Sequence, residues 1–243
     1  MYLDRLTSKE FQEKVSDDLV VIVPIGSVEE HGRHLPLSTD CLQPVKVAEL
    51  VASEEGLDIL IAPLIPYGQC SSTRNFPGTI SITFESLKGF ISDVISDLHR
   101  NGIRNIVVLS GHAGRGHMAA LKLAAEDLVR ELDMKIMVLS DYDIAYGISD
   151  LDIPPGDGHA GFIETSRILS IDEDLVRGKG TVEFPQFPPF RVLRHPERYF
   201  TSGIMGDPSK ASAEVGTRFN EIIAKRLSEL IKGMLKEPEG SDL

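Results

Sequence analysis

Four short aliphatic runs punctuate the chain: Leu19-Val20-Val21-Ile22-Val23, Ile59-Leu60-Ile61-Ala62, Ile106-Val107-Val108-Leu109 and Ile136-Met137-Val138-Leu139. Each is continuous rather than alternating, so each predicts a strand buried on both faces. Between them, apolar residues recur every third or fourth position over Val45 to Ser53, Phe84 to Arg100 and Met118 to Leu132, the spacing of amphipathic helices. A further helical pattern runs from Ala211 to Leu235, and Asp157 to Ser166 opens a short helix. Strand alternating with helix predicts an α/β fold: a mainly parallel sheet covered on both sides, in three α/β/α layers. The Pro-, Phe- and Gly-rich region from Gly178 to Pro208 predicts long loops packed on that sheet.

Composition narrows this picture only a little. The chain has 243 residues, 42% hydrophobic and 26% charged, which suits an ordinary globular protein and excludes disordered, collagen-like and coiled-coil classes. We expect a single domain over residues 1–243, with 237–243 polar enough to fray. A net charge of −12 argues against nucleic acid and anionic membranes as partners. No stretch has the length of a membrane span, and Met1-Tyr2-Leu3-Asp4-Arg5 lacks the regions of a signal peptide, so a cytoplasmic protein is expected. Cys41 and Cys70 are expected to be free thiols.

Chemistry concentrates where strands end, as parallel sheets require. Five of the seven histidines, at 31, 34, 112, 117 and 159, lie in short Gly-flanked segments beside Glu29, Asp40, Asp157 and Glu164. Glu29 and His31 are two residues apart, so in an extended segment both face one side, and the turn around Leu35-Pro36-Leu37 returns Asp40 to it. A carboxylate there can bridge two metals. Mixed nitrogen and oxygen donors suit Zn, Mn or Fe(II), and two such ions roughly 3.5 Å apart share a water, lower its pKa and clamp a carbonyl. The alternatives are a hydrogen-bonded structural His31 and an Asp40 that caps the helix before Val45.

The stretch Gly26 to Asp40, Gly-Ser-Val-Glu-Glu-His-Gly-Arg-His-Leu-Pro-Leu-Ser-Thr-Asp, closely resembles the signature of the creatininase family of metal-dependent amidohydrolases. Phe76-Pro77-Gly78-Thr79, Gly111-His112, His159-Ala160-Gly161 with Glu164-Thr165-Ser166, and Gly206-Asp207-Pro208 extend the resemblance along most of the chain. It implies a three-layer subunit, usually in a ring-like homo-hexamer, that hydrolyses a non-peptide C–N amide bond with metal-activated water. Two divalent metals are implied, with Glu29 and His112 on one, His31 on the other, and Asp40 between them. Creatininase itself completes the second site with a Glu where this chain has Gly114, so Glu164 takes that place as ligand or catalytic carboxylate; complementing a helix dipole is its other reading. His159 matches the family's catalytic histidine, a group suited to proton transfer near neutral pH. His34 is expected to steady a ligand from outside. Asp157 either orients His159 or makes the turn before Gly158. His117, His99 and His195 are read as structural or surface residues.

The chain also departs from the family. Ser110-Gly111-His112-Ala113-Gly114-Arg115 replaces the usual Asn-Gly-His-Gly-Gly-Asn, placing Arg115 where a neutral amide stands, with Ser110 and Gly114 expected near substrate. Thr73-Arg74 replaces a Glu-His pair. Arg74 and Arg115, if they face the pocket, favour a substrate bearing a phosphate or carboxylate. Cyclic amides and formamides, possibly phosphorylated, are therefore the expected small-molecule substrates. A formamidopyrimidine-nucleotide deformylase of riboflavin or F420 biosynthesis is one candidate, and a catalytically silent metal-binding assembly module is the alternative from another class. Creatinine is disfavoured because the chain has no Trp.

Overall fold

The computed structural model describes residues 1–145 and 153–237. The part of the expected frayed tail from 238 onward lies outside the described residues. Four parallel strands, β1 (Val20–Ile25), β2 (Ile59–Ile61), β3 (Asn105–Ser110) and β4 (Lys135–Ser140), form a sheet in the order β2-β1-β3-β4. Among the described residues seven α-helices accompany them: α1 (Ser8–Lys14), α2 (Thr39–Ala52), α3 (Phe84–Arg100), α4 (Arg115–Glu131), α5 (Asp141–Ala145), α6 (Phe162–Ile171) and α7 (Ala213–Lys236).

Strand periodicity divides the core in two. Val20, Ile22, Val107 and Leu109 face a cluster shared with α2, α6 and α7, including Val47, Phe162, Phe219 and Leu227. Val21, Val23, Ile106 and Val108 face the other side, toward Leu87, Ile91 and Ile95 of α3 and Leu121 and Ala124 of α4. Side chains of this size, fully buried, each stabilise the fold by roughly 1.5–3 kcal/mol, which fixes strand register because a one-residue slip would exchange the faces. The three-layer expectation is met.

Two expectations need correction. The helix predicted from Val45 begins at Thr39, six residues earlier, with Pro44 inside it. Pro44 has no N–H for the Asp40 carbonyl, so the helical pattern is interrupted in sequence though the backbone continues. The 178–208 region does form long loops, but at the sheet's carboxyl edge: Gly180 passes His34, and Gly203 passes Glu30, too closely for any side chain. Phe200 is fully buried there, edge-on to Phe76.

The chain runs from β1 outward to β2 and then returns to β3 on the other side, so the sheet's switch point lies between β1 and β3, where open α/β sheets place their sites. At that point α2 docks with its first turn against the two strand ends. A Cβ on Gly26 or Gly111 would fall 2.3 or 2.1 Å from the Asp40 carbonyl oxygen.

Candidate active site

Asp40 sits in the first turn of α2 and is buried with both oxygens engaged. Its Oδ1 lies 3.0 Å from His31 Nε2 and its Oδ2 lies 3.0 Å from His112 Nδ1. Two groups of donors meet across this one carboxylate. On the first side, Glu29 Oε2 is 2.9 Å from the same His112 Nδ1, and Cys70 joins Glu29 and His112. On the second, Glu164 Oε2 is 3.4 Å from His31 Nε2, and His159 completes the group, its ring centroid 4.2 Å from that of His31 with the planes tilted by 38°.

The far nitrogens of all three imidazoles are tied to main-chain carbonyls. His31 Nδ1 donates to the Glu29 carbonyl (3.1 Å), His112 Nε2 to that of Gln69 (3.1 Å), and His159 Nε2 to that of Glu30 (2.7 Å). This pattern fixes the tautomer and turns the opposite nitrogen inward, as metal-binding imidazoles require. Ser27 Oγ lies 2.6 Å from Asp40 Oδ2 and 3.1 Å from Glu29 Oε2, and Thr73 Oγ1 donates to the other Glu29 oxygen.

Three buried carboxylates without a lysine or arginine among these contacts leave a large negative charge, which only protons or cations can neutralise. With protons alone, burial lowers the His31 pKa, but Asp40, Glu164 and Glu29 outweigh it and push it up to about 10. His112 is likewise raised well above its ordinary value, with burial opposed by Glu29 and Asp40. Burial raises Glu29, but the facing His112 holds it down at about 2. Asp40 is lowered against its burial, first by the His31 charge and then by its hydrogen bonds to His112 and His31. Burial and the His31 charge lower His159, but its Glu30 hydrogen bond and the charges of Glu29 and Glu164 outweigh them, so its pKa is raised. Divalent cations fit this donor set: hard oxygens and oriented imidazoles, in two adjacent groups with a shared carboxylate.

The helices bring in the distant donors. Glu164 stands in the first turn of α6 and accepts from the Ala160 amide at 2.6 Å, so its position serves the helix terminus as well as His31. Asp157 caps the helix that carries Glu164: its oxygens accept from the Phe162 and Ile163 amides at 2.5 and 3.1 Å. His34 Nε2 is 2.9 Å from Thr165 Oγ1, adjacent to Glu164 in sequence. Burial, aided by the His31 charge, lowers His34 to about 4.

Other expected residues are placed differently. Ser110, expected to meet substrate, is sealed at the end of β3: its hydroxyl donates to the His112 carbonyl (2.8 Å) and accepts from the His112 amide (3.1 Å). Gly114 makes room for an imidazole, since a Cβ there would fall 2.4 Å from His112 Nε2. Arg74 and Arg115 are both exposed, Arg74 in the 66–79 loop and Arg115 as the first residue of α4.

Sequence reasoning missed four residues. His117 is fully buried beside His112, with Nε2 donating to Ser110 Oγ at 3.0 Å and Nδ1 accepting from the Gln69 amide at 3.3 Å. Burial, reinforced by the His112 charge, keeps it neutral, with a pKa near about 3. Cys70, Ser27 and Thr73 complete the omissions. His117 alone carries no spacing signal; Ser27 lies inside the Gly26 to Asp40 signature, and the loop after β2 marked Cys70 and Thr73 as near a strand end.

The creatininase (creatinine amidohydrolase) family pattern matches residues 4–231. Creatinine amidohydrolase of Pseudomonas putida is 30% identical over 252 residues, covering 96% of each chain. A mycofactocin precursor peptide peptidase of Mycolicibacterium smegmatis is 31% identical over 228 residues, covering 89% of this chain and 85% of its own. Among solved structures, a mutant creatininase of Zn-Zn type superposes with a TM-score of 0.85 at 27% identity, covering 97% of this chain and 98% of its own. A manganese creatininase superposes with a TM-score of 0.84 at 28% identity, covering 97% and 99%. With the family pattern spanning residues 4–231 and the fold shared with these structures over nearly its whole length, the chain belongs to the creatininase family.

Proposed function

We propose that this chain is a dinuclear metal-dependent amidohydrolase cleaving a non-peptide C–N bond in a cyclic amide or formamide. The observation that carries this reading is Asp40, whose two oxygens each lie 3.0 Å from an imidazole nitrogen of a different donor group. Glu29, His112 and Asp40 would hold one ion, and His31, Glu164 and Asp40 the other, with zinc, manganese or Fe(II) compatible with these donors. Two bound dications supply Lewis acidity and bring the pKa of water toward neutrality.

The remaining work belongs to the side chains. Ser27 and Thr73 hold Glu29 in one rotamer, and Ser27 does the same for Asp40. His159, with its Nε2 proton committed to the Glu30 carbonyl, has Nδ1 as its basic nitrogen, which can take the proton released by the attacking water and pass it to the departing amine. The 178–208 loops cover His34 and Glu30 and keep bulk water from that side. Free, buried Cys41 and Cys70 support a reducing, cytoplasmic location. Assembly into a ring-like homo-hexamer follows from the family resemblance, and no described helix is long and apolar enough to cross a membrane.

The test is elemental analysis of purified protein combined with a panel of formamides, cyclic amides and short peptides. Two ions per chain with chelator-sensitive release of amine from a formamide or cyclic amide is the expected result. Full activity in chelator overturns the metal reading. Two ions without turnover of any panel member favours the silent assembly module, and turnover of peptides alone overturns the non-peptide assignment.

A further inference from the structure

On the first side of Asp40, three side chains offer one ligand atom apiece, because their other atoms are engaged elsewhere. Thr73 Oγ1 donates to Glu29 Oε1, which leaves Oε2; His112 Nε2 donates to the Gln69 carbonyl, which leaves Nδ1; Asp40 Oδ1 faces His31, which leaves Oδ2. An ion such as zinc is commonly tetrahedral and takes four ligands. The sulfur of Cys70 supplies the missing atom. It, the Glu29 carboxylate and the His112 imidazole place one ligand atom each within 4.8 Å of one another, and all three residues are buried.

The main chain sets this sulfur and the His112 ring together. Gly68 passes so close to the His117 ring and the Gly26 carbonyl that a Cβ would fall 2.7 and 2.9 Å from them. Gln69 then donates its amide to His117 Nδ1 at 3.3 Å and accepts from His112 Nε2 at 3.1 Å, and the Cys70 amide donates to Ser81 Oγ at 2.9 Å. The residue that orients the imidazole thus immediately precedes the thiol. Gln69 and Cys70 also line a cavity of about 610 Å³, through which an ion can come to the sulfur. Cys41 provides the contrast. It too is buried and follows Asp40 directly, yet its Sγ lies against the Ser27 and Pro66 carbonyls, at 3.5 and 3.9 Å, and it belongs to neither donor group.

We propose that Cys70 is a fourth protein ligand of the first ion, bound as thiolate with its proton released to solvent. The centre is then unequal. Soft sulfur favours zinc over manganese and magnesium, whereas the group of His31, Glu164 and His159 has only nitrogen and oxygen donors and accepts manganese as well. This deepens the dinuclear reading and rests on it for Asp40 as the shared ligand.

The experiment loads metal-stripped protein, C70S and C41S with cobalt(II) for absorption spectroscopy, and measures zinc and manganese affinities of each by competition with a chelator. A sulfur-to-cobalt charge-transfer band in the near ultraviolet is expected for wild type and C41S and absent from C70S. Zinc affinity should fall at least about tenfold in C70S, with manganese affinity within about threefold of wild type. Because the chain has two cysteines, a band that persists in C41S assigns the sulfur to Cys70 even where C70S does not fold. Bound cobalt without the band in wild type, a band that survives in C70S, or equal zinc affinity in wild type and C70S overturns the ligand. An equal fall for manganese overturns the selectivity. Two cobalt ions without the band leave the dinuclear reading standing and defeat Cys70 alone; the band without turnover of any amide keeps Cys70 and defeats the hydrolase reading; no bound ion defeats both.

Discussion

The two donor groups that meet at Asp40 are built in contrasting ways. Glu29, His112 and Cys70 hang from the ends of β1 and β3 and the loop after β2, and they are braced from behind by Ser27, Thr73, Ser110 and His117. Glu164 and His159 depend on α6 and the turn before it, more than a hundred residues downstream of His31, and α6 is placed by packing on α7. There Gly216 lies so near the Ser166 carbonyl that a Cβ would fall 1.8 Å away. A framework of paired strands holds one half, and helix docking and an N-terminal cap hold the other. Rigidity in the first half therefore follows from backbone hydrogen bonding, while in the second it follows from helix packing and Asp157.

Asp40 belongs to both halves, so Asp40→Ala has the largest expected effect. Metal content should fall from two ions to one or none, and amide hydrolysis should fall on the order of a thousandfold or more. Two retained ions and intact turnover would sink the bridging role. A smaller effect separates the halves: His112→Gln should release the ion of the first group and spare the second, and Glu164→Gln should do the reverse. Elemental analysis after dialysis reads the outcome, with each affected affinity down about 10- to 100-fold or more. Equal losses in both variants would show that the halves fill as one unit.

The smallest effect is a pH slope. His117 behind the first half and His34 behind the second stay neutral when folded, with values near about 3 and about 4. An unfolded histidine takes its proton near 6.5, so between about 6.5 and 4 the unfolded chain binds more protons and stability falls as pH falls. Each contributes up to ~1.4 kcal/mol per pH unit. His117→Asn and His34→Asn should each flatten the slope of urea midpoints between pH 6.5 and 5 by one proton; an unaltered slope shows that the residue is protonated in the fold.

The same contrast governs what could be read from the sequence. The four strands were legible because both faces of each are buried, leaving unbroken aliphatic runs. Glu29, His31 and Asp40 were legible because one short segment holds all three with fixed spacing. The start of α2 was hidden by Pro44, and His117 and Cys70 by being single residues with ordinary core explanations. Ser110 was misread because its hydroxyl faces the back of His112 rather than the cavity, an orientation set by strand pleat and β3 termination. Arg194 lies 120 positions from Arg74, and only folding of the 178–208 loops brings both to the lining of one cavity.

The close approach of the Asp40 carbonyl to Gly26 and Gly111 carries one more consequence. The central carboxylate is located by main-chain atoms of a helix and two strands, whereas the 66–79 and 178–208 loops around it carry replaceable side chains. New substrates can thus be accommodated by exchanging loop residues while the hydrolytic centre keeps its coordinates. A single methyl group added at either glycine would shift that centre with every ligand untouched.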